Sequence, residues 1–226
     1  MSDDAMLVAQ GVRKQYFRKG RDAARYFDAV RSTDVTLRRG ELLELVGRSG
    51  SGKTTLLSML AGLLTPTDGT VMFEGRDLYA LDDAELSRVR NEHFGVVPQG
   101  QTPLADLTVL QNVCLPHCLY RDPGDVESRA LGLLESLGIA ELSECYPAEL
   151  SGGEMRRMAI ARALVCEPDV VFADEPTGDL DDENTRVVLQ ALRDVADAGA
   201  AVLLVTHEQS AASYADRTLR LSASQR

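Results

Sequence analysis

The sequence runs to 226 residues with a formal net charge of −11, of which 44% are hydrophobic and 26% charged. That length and apolar content suffice for one sizeable core and exclude a disordered chain. The acidic balance repels a phosphate backbone and so argues against sequence-independent binding to nucleic acid.

The N-terminal "MSDDAM" lacks the basic and apolar segments of a secretion signal, and apolar runs such as "AAVLLV" at 200–205 are far too short to cross a bilayer. A soluble, cytoplasmic chain is expected. Cysteines at 114, 118, 145 and 166 show neither zinc-ribbon spacing nor the density of a disulfide scaffold. Cys114, His117 and Cys118 lie close together but lack a fourth ligand at suitable spacing, so buried thiols beside an incidental His is the preferred reading.

"VRKQYF" reads as a short strand-like segment carrying Tyr16 upstream of a glycine-rich loop. If that loop binds a nucleotide, Tyr16 is the candidate to stack on the base, with Phe17, Tyr26 and Phe27 as rivals and core packing as the plainer role for all four. "GELLELVG" at 40–47 predicts a buried strand, "KTTLLSMLAGLL" at 53–64 an amphipathic helix broken by "PTDG", and "TVMFEG" at 70–75 another strand. Between the first two lies "GRSGSGKT" at 47–54, which matches G-x-x-x-x-G-K-[ST] in the strand-to-helix context that the motif requires. Gly47, Ser49, Gly50, Ser51 and Gly52 would form a tight turn whose N–H groups converge on phosphate oxygens. Lys53 would reach the β- and γ-phosphates, and Thr54, followed by Thr55, would offer a hydroxyl to Mg²⁺.

"VVPQ" ends an apolar stretch at Gln99, whose amide oxygen could serve Mg²⁺ or a water. Residues 100–165 are mostly helical in pattern, most clearly "VESRALGLLESLG" at 126–138. Within that block "LSGGE" at 150–154 opens a helix, with Ser151 as its cap, Gly152 and Gly153 permitting close approach, and Glu154 following. An ordinary N-cap and a second phosphate site both fit that pattern.

"DVVFADEP" and "AAVLLVTHE" are near-continuous apolar runs separated by the helical "ENTRVVLQALRDVADAG". Strands apolar on every face, joined through a helix, predict a parallel sheet with right-handed crossovers and an α/β fold with a helical insertion. The first run ends in Asp174 and Glu175. An acidic pair at a strand end is often a solvated turn, but beside a phosphate loop the two carboxylates take separate roles. Asp174 would hold Mg²⁺ through water, and Glu175 would polarise the attacking water. The second run leaves His207 at the same edge, able to donate one hydrogen bond to a γ-phosphate.

Taken in order, "GRSGSGKT", "VVPQ", "LSGGE", "VVFADEPTGDLD" and "VTH" resemble the nucleotide-binding subunit of ATP-binding cassette (ABC) transporters, over nearly the whole chain. "EPTGDLD" is similar to the run found in the lipoprotein-releasing, macrolide-exporting and cell-division ATPases. The resemblance implies a P-loop NTPase parallel-sheet core, an N-terminal antiparallel β subdomain and a helical insertion subdomain. Residues 1–226 would then form one ATPase domain, with 1–99 and 166–226 as the nucleotide-binding core and 100–165 as the helical part carrying the signature. It further implies that Gln99 is the Q-loop residue, that Tyr16 is the adenine-stacking aromatic, that residues 178–181 form the D-loop ending in Asp181, and that His207 is the switch histidine.

The family's signature turn closes over the γ-phosphate held by a second subunit. The resemblance therefore implies a head-to-tail dimer with ATP and Mg²⁺ at each site, docked on an integral membrane permease subunit at the inner face of the cell membrane. It implies an ATPase driving export or mechanotransmission, and the chain's end at Arg226, soon after His207, favours that group. The alternative is a nucleotide-gated regulatory module of a cell-division or cell-wall-remodelling complex. Three positions depart from the family pattern: Glu44 in the strand before the phosphate loop, Pro98 before Gln99, and Thr33 in the N-terminal sheet. Glu44 must find a partner or escape burial.

Overall fold

The computed structural model describes residues 4–19, 24–100, 102–121, 124, 126–178 and 180–221. Of the motif residues, Asp179 lies outside them.

Two 15-residue strands, β1 (Ala5–Lys19) and β2 (Ala24–Arg38), pair antiparallel from Ala5↔Arg38 to Lys19↔Ala24. β3 (Leu42–Val46) follows and leads through the glycine loop into α1 (Lys53–Leu60). The helical pattern reaches to residue 64, but α1 stops at Leu60. Gly62 adopts a left-handed φ of 68°, which ends the helix where a non-glycine residue would be strained. β4 (Asp68–Phe73) and β5 (Arg76–Asp77) complete the first sheet, in the order β2-β1-β4-β5 with every pairing antiparallel.

α2 (Asp83–His93) runs directly into β6 (Phe94–Val97). This helix is not among those expected from periodicity. Its signal is local: Asp82 and Glu85 form a reciprocal capping box. α3 (Val109–Cys118), α4 (Val126–Ser136) and α5 (Gly152–Leu164) then make up the helical block. β7 (Val170–Asp174), α6 (Asp182–Asp197), β8 (Ala201–Val205) and β9 (Arg217–Arg220) close the chain. The second sheet has the order β6-β7-β8-β3-β9, all parallel.

All five residues of β7 and of β8 are buried, because a parallel sheet is covered on both faces. One face packs on α1, whose Leu56, Leu57, Met59 and Leu60 fill the space between the two sheets together with Leu7, Val30, Leu45 and Phe172. The other face packs on α6 and the helical block through Val171, Leu204, Leu189, Leu134 and Ile160. Glu44 is buried on β3 and its carboxylate accepts the Thr218 hydroxyl at 3.0 Å, so it stays inside by pairing. All four cysteines are free thiols.

Candidate functional site

The C-terminal ends of β3, β6, β7 and β8 converge at one edge of the parallel sheet, where crossover loops leave a crevice. At the end of β3, Gly50 and Gly52 take φ of 74° and 95°, open to glycine and strained for other residues. A Cβ on Gly52 would stand 2.2 Å from the Ala29 carbonyl oxygen, so β2 presses directly on the loop. Lys53 folds back and its Nζ donates to the Gly47 carbonyl at 2.9 Å, pinning the two ends of the turn together. Gly52 caps α1 without any side-chain hydrogen bond, and no acidic residue stands in the first turn. The helix N-terminus thus keeps its backbone donors and its positive dipole end for an incoming anion.

Gly50, Gly52, Lys53, Thr54, Thr55 and Ser49 line a cavity of about 350 Å³, and Gln99, Asp174, Glu175 and His207 complete its lining. Gly47 and Ser51 shape the turn from behind: Ser51 is buried, and a Cβ on Gly47 would meet its hydroxyl at 2.6 Å. Asp174 is buried at the tip of β7, and its Oδ1 has no hydrogen-bond partner. A carboxylate oxygen left bare beside Thr54 and Gln99 suits a hard cation with oxygen ligands. Among the described residues no group of three or more His, Cys, Asp or Glu could hold a metal, so a cation here would draw on Thr54 and on phosphate oxygens as well.

Glu175 occupies a left-handed φ of 50°, an arrangement that costs about 1–3 kcal/mol for a residue with a side chain. Its carboxylate is held from one direction. Oε2 accepts the His207 backbone N–H at 3.2 Å, and the His207 Nε2 stands 3.0 Å from Oε1. Burial raises the Glu175 pKa above the usual carboxylate value, while His207 and Lys53 pull the other way. A carboxylate raised in this manner is a better proton acceptor than a solvated one.

Among the aromatic candidates, Phe27 lines the cavity, with Asp28 and Ala29, whereas Tyr16 does not. Tyr16 sits opposite Phe27 in the β1–β2 register, its ring 6.0 Å from that of Phe27, and Lys14 Nζ lies 5.6 Å from the Tyr16 ring. Phe17 and Tyr26 make a second pair one position along the ladder, where strand alternation turns side chains to the opposite face. Asp28 and Ala29 carry no motif, and only the crossing of β2 over the loop brings them here. Arg13 fixes that crossing by an ion pair to Asp28 at 2.8 Å.

The remaining expected residues stay away from this cavity. Ser151, Gly152, Gly153 and Glu154 open α5, and Asp181 caps α6, and none of the five lines it. Ser151 Oγ accepts the Glu154 N–H at 3.3 Å, and Glu154 accepts the Ser151 N–H at 2.7 Å, which lowers the Glu154 pKa. The ordinary cap is therefore present. Arg157 donates to Asn184 Oδ1, and the Asn184 amide donates to Asp181 Oδ2 at 3.0 Å, so α5 and the start of α6 form one connected face.

Known proteins share this arrangement. Residues 30–178 match the ABC transporter family. The chain is 40% identical over 220 residues to the lipoprotein-releasing system ATP-binding protein LolD of Myxococcus xanthus, covering 96% of each. It is 39% identical to LolD of Shewanella frigidimarina, covering 97% of this chain and 91% of the other. In three dimensions it is similar to the dimeric structure of MJ0796, a bacterial ABC transporter cassette. The TM-score there is 0.89 with 33% identity, over 98% of this chain and 97% of the other. A post-hydrolysis state of that cassette, bound to ADP and Pi, superposes with a TM-score of 0.88 and 32% identity, over 96% and 94%.

Proposed function

The chain belongs to the ABC transporter family as an ATPase subunit, and from that premise we propose that it drives export or mechanotransmission through a separate membrane subunit by closing as an ATP-bound head-to-tail dimer. No helix among the described residues is long and apolar enough to cross a membrane, so the membrane part falls to a partner. The observation that carries the dimer is the separation of two glycine-bearing helix starts: the loop at 47–54 opens on a cavity, and the signature turn at 150–154 does not reach it. A second copy, turned head to tail, supplies the missing half. The dimeric cassette MJ0796 supports this reading, as does the likeness to LolD proteins for the choice of an export-type membrane partner at the inner face of the membrane.

In the proposed mechanism the loop N–H groups and Lys53 bind the β- and γ-phosphates. Thr54, Gln99 and Asp174 would hold Mg²⁺, which when bound neutralises phosphate charge. Glu175 accepts a proton from a water as the water oxygen bonds to the γ-phosphorus and the bond to the β,γ-bridging oxygen breaks, giving ADP and phosphate. His207 holds the Glu175 carboxylate in place through its backbone N–H and its ring Nε2, and from the cavity wall that ring would donate to the γ-phosphate. Phe27, backed by Tyr16, provides the face on which adenine stacks. Residues 100–165 act as a helical subdomain that carries the signature against the partner.

The test is assembly of Glu175→Gln, which binds ATP but lacks the base. With ATP and Mg²⁺ it should run at twice the 24.6 kDa chain mass in light scattering, and as a monomer with ADP. A monomer at saturating ATP sinks the dimer.

A further inference from the structure

Arg156 is a buried guanidinium to which the mechanism above gives no role. It lies on the second turn of α5, only 7% exposed, and its Nε has no partner. Burying such a group is unfavourable unless its donors are engaged. Its Nη1 carries two hydrogens and has two acceptors, both backbone carbonyls: Gln99 O at 3.1 Å and Glu175 O at 3.0 Å. Those two residues put their side chains into the cavity from the ends of β6 and β7.

The grip falls where the backbone is least able to hold itself. Glu175 stands at its left-handed φ, tied on one side by its N–H to Val205 O at 2.8 Å. On the other side its carbonyl receives the Gly178 N–H at 3.2 Å as well as Arg156. The neighbouring guanidinium arm lies close to Gly178, where an added Cβ would come within 3.6 Å of Nη2. Further along α5, Arg162 donates to the Thr102 carbonyl at 2.9 Å, so the same helix holds the loop after β6 at a second point.

We propose that Arg156 is a positioning residue. It ties the start of α5, and with it the signature turn, to the two loops that aim Gln99 and Glu175, so that movement of α5 resets both side chains in the chain's own cavity. This rests on the ATPase reading above. The planar guanidinium fixes the two Nη1 hydrogens in one plane and aims one at each carbonyl, whereas a lysine ammonium brings rotatable donors on a flexible stem. Misplacing a catalytic group by about 1 Å lowers turnover by about 100-fold, while nucleotide affinity, carried by the 47–54 loop, is untouched.

The chain of residues 1–226 and its Arg156→Met variant are compared in ATP hydrolysis, with binding-competent sites counted by titration with a fluorescent ATP analogue. The expected result is a kcat per competent site about 10- to 100-fold lower, with analogue affinity within about threefold of wild type. Arg156→Lys should recover part of that loss, to within about tenfold of wild type. Three results would overturn the proposal: a kcat for Arg156→Met within twofold of wild type, kcat and affinity falling together, or Arg156→Lys no better than Arg156→Met. Should Arg156→Met not fold, Arg156→Gln, which keeps an amide donor without the reach, decides on the same kcat and affinity criteria. An unsubstituted chain that hydrolyses no ATP would instead remove the ATPase reading itself, a failure visible without any variant.

Discussion

Two glycine-bearing turns in this chain open helices in opposite conditions. α1 begins at Gly52 with no side chain capping it and no acid in its first turn, so its orphan donors and dipole face the cavity. α5 begins at Ser151 with a complete capping box and Glu154 in its first turn. Ser151 Oγ and Glu154 already satisfy the Glu154 and Ser151 N–H groups, and the Glu154 charge offsets the dipole. A turn kept uncapped binds an anion by itself, whereas a turn already capped adds to an anion that another surface has brought. On the proposed reading, this difference places the two turns on opposite sides of a site shared between two copies.

Each turn can be broken separately. Lys53→Ala removes the cation and the tie to Gly47, and should weaken ATP binding by about 10- to 100-fold in a fluorescent-analogue titration. Hydrolysis should fall by at least about 100-fold in the same variant, since a donor at the developing charge is lost with it. Ser151→Arg leaves the open turn intact and puts bulk and charge on the capped one. ATP affinity should stay within about threefold while hydrolysis drops by about 100-fold or more, the pattern of a group used only in the closed state. Normal turnover in that variant would put both turns on the same side of the site.

The smallest effect sharpens what the open turn owes to its base end. Phe27→Ala should lose about 1–3 kcal/mol of ATP affinity, the worth of one base stacked on an aromatic ring. Tyr16→Ala should lose about 0.5–1.5 kcal/mol, through its ring contact with Phe27. Isothermal titration of both variants ranks them, and a larger loss at Tyr16 would show that the base rests on β1 instead of β2.

Much of this was legible in residue order because it depends on local chemistry. The spacing of "GRSGSGKT" dictates a turn with left-handed glycines before a helix, and unbroken apolar runs ending in Asp174 and His207 dictate buried parallel strands. The helix at 83–93 escaped the periodicity because only Val89 is buried on it, although its Asp82 and Glu85 cap was there to be read. At the base end, four aromatics within twelve positions were indistinguishable by type. Pairing register and strand alternation separated them, setting Phe27 at the cavity and the Phe17–Tyr26 pair one step along the ladder.

The sequence by itself determined which groups are candidates to meet a nucleotide, because a glycine loop before a helix, an acidic strand end and a capped glycine turn are each specified within a few neighbouring residues. Only the tertiary structure decided which of them meet. Ala29 against Gly52 and Arg156 between the Gln99 and Glu175 carbonyls are separated by 19 residues or more from what they touch. Such contacts are made by the packing of two sheets and a helical block around α1, and no local pattern records them.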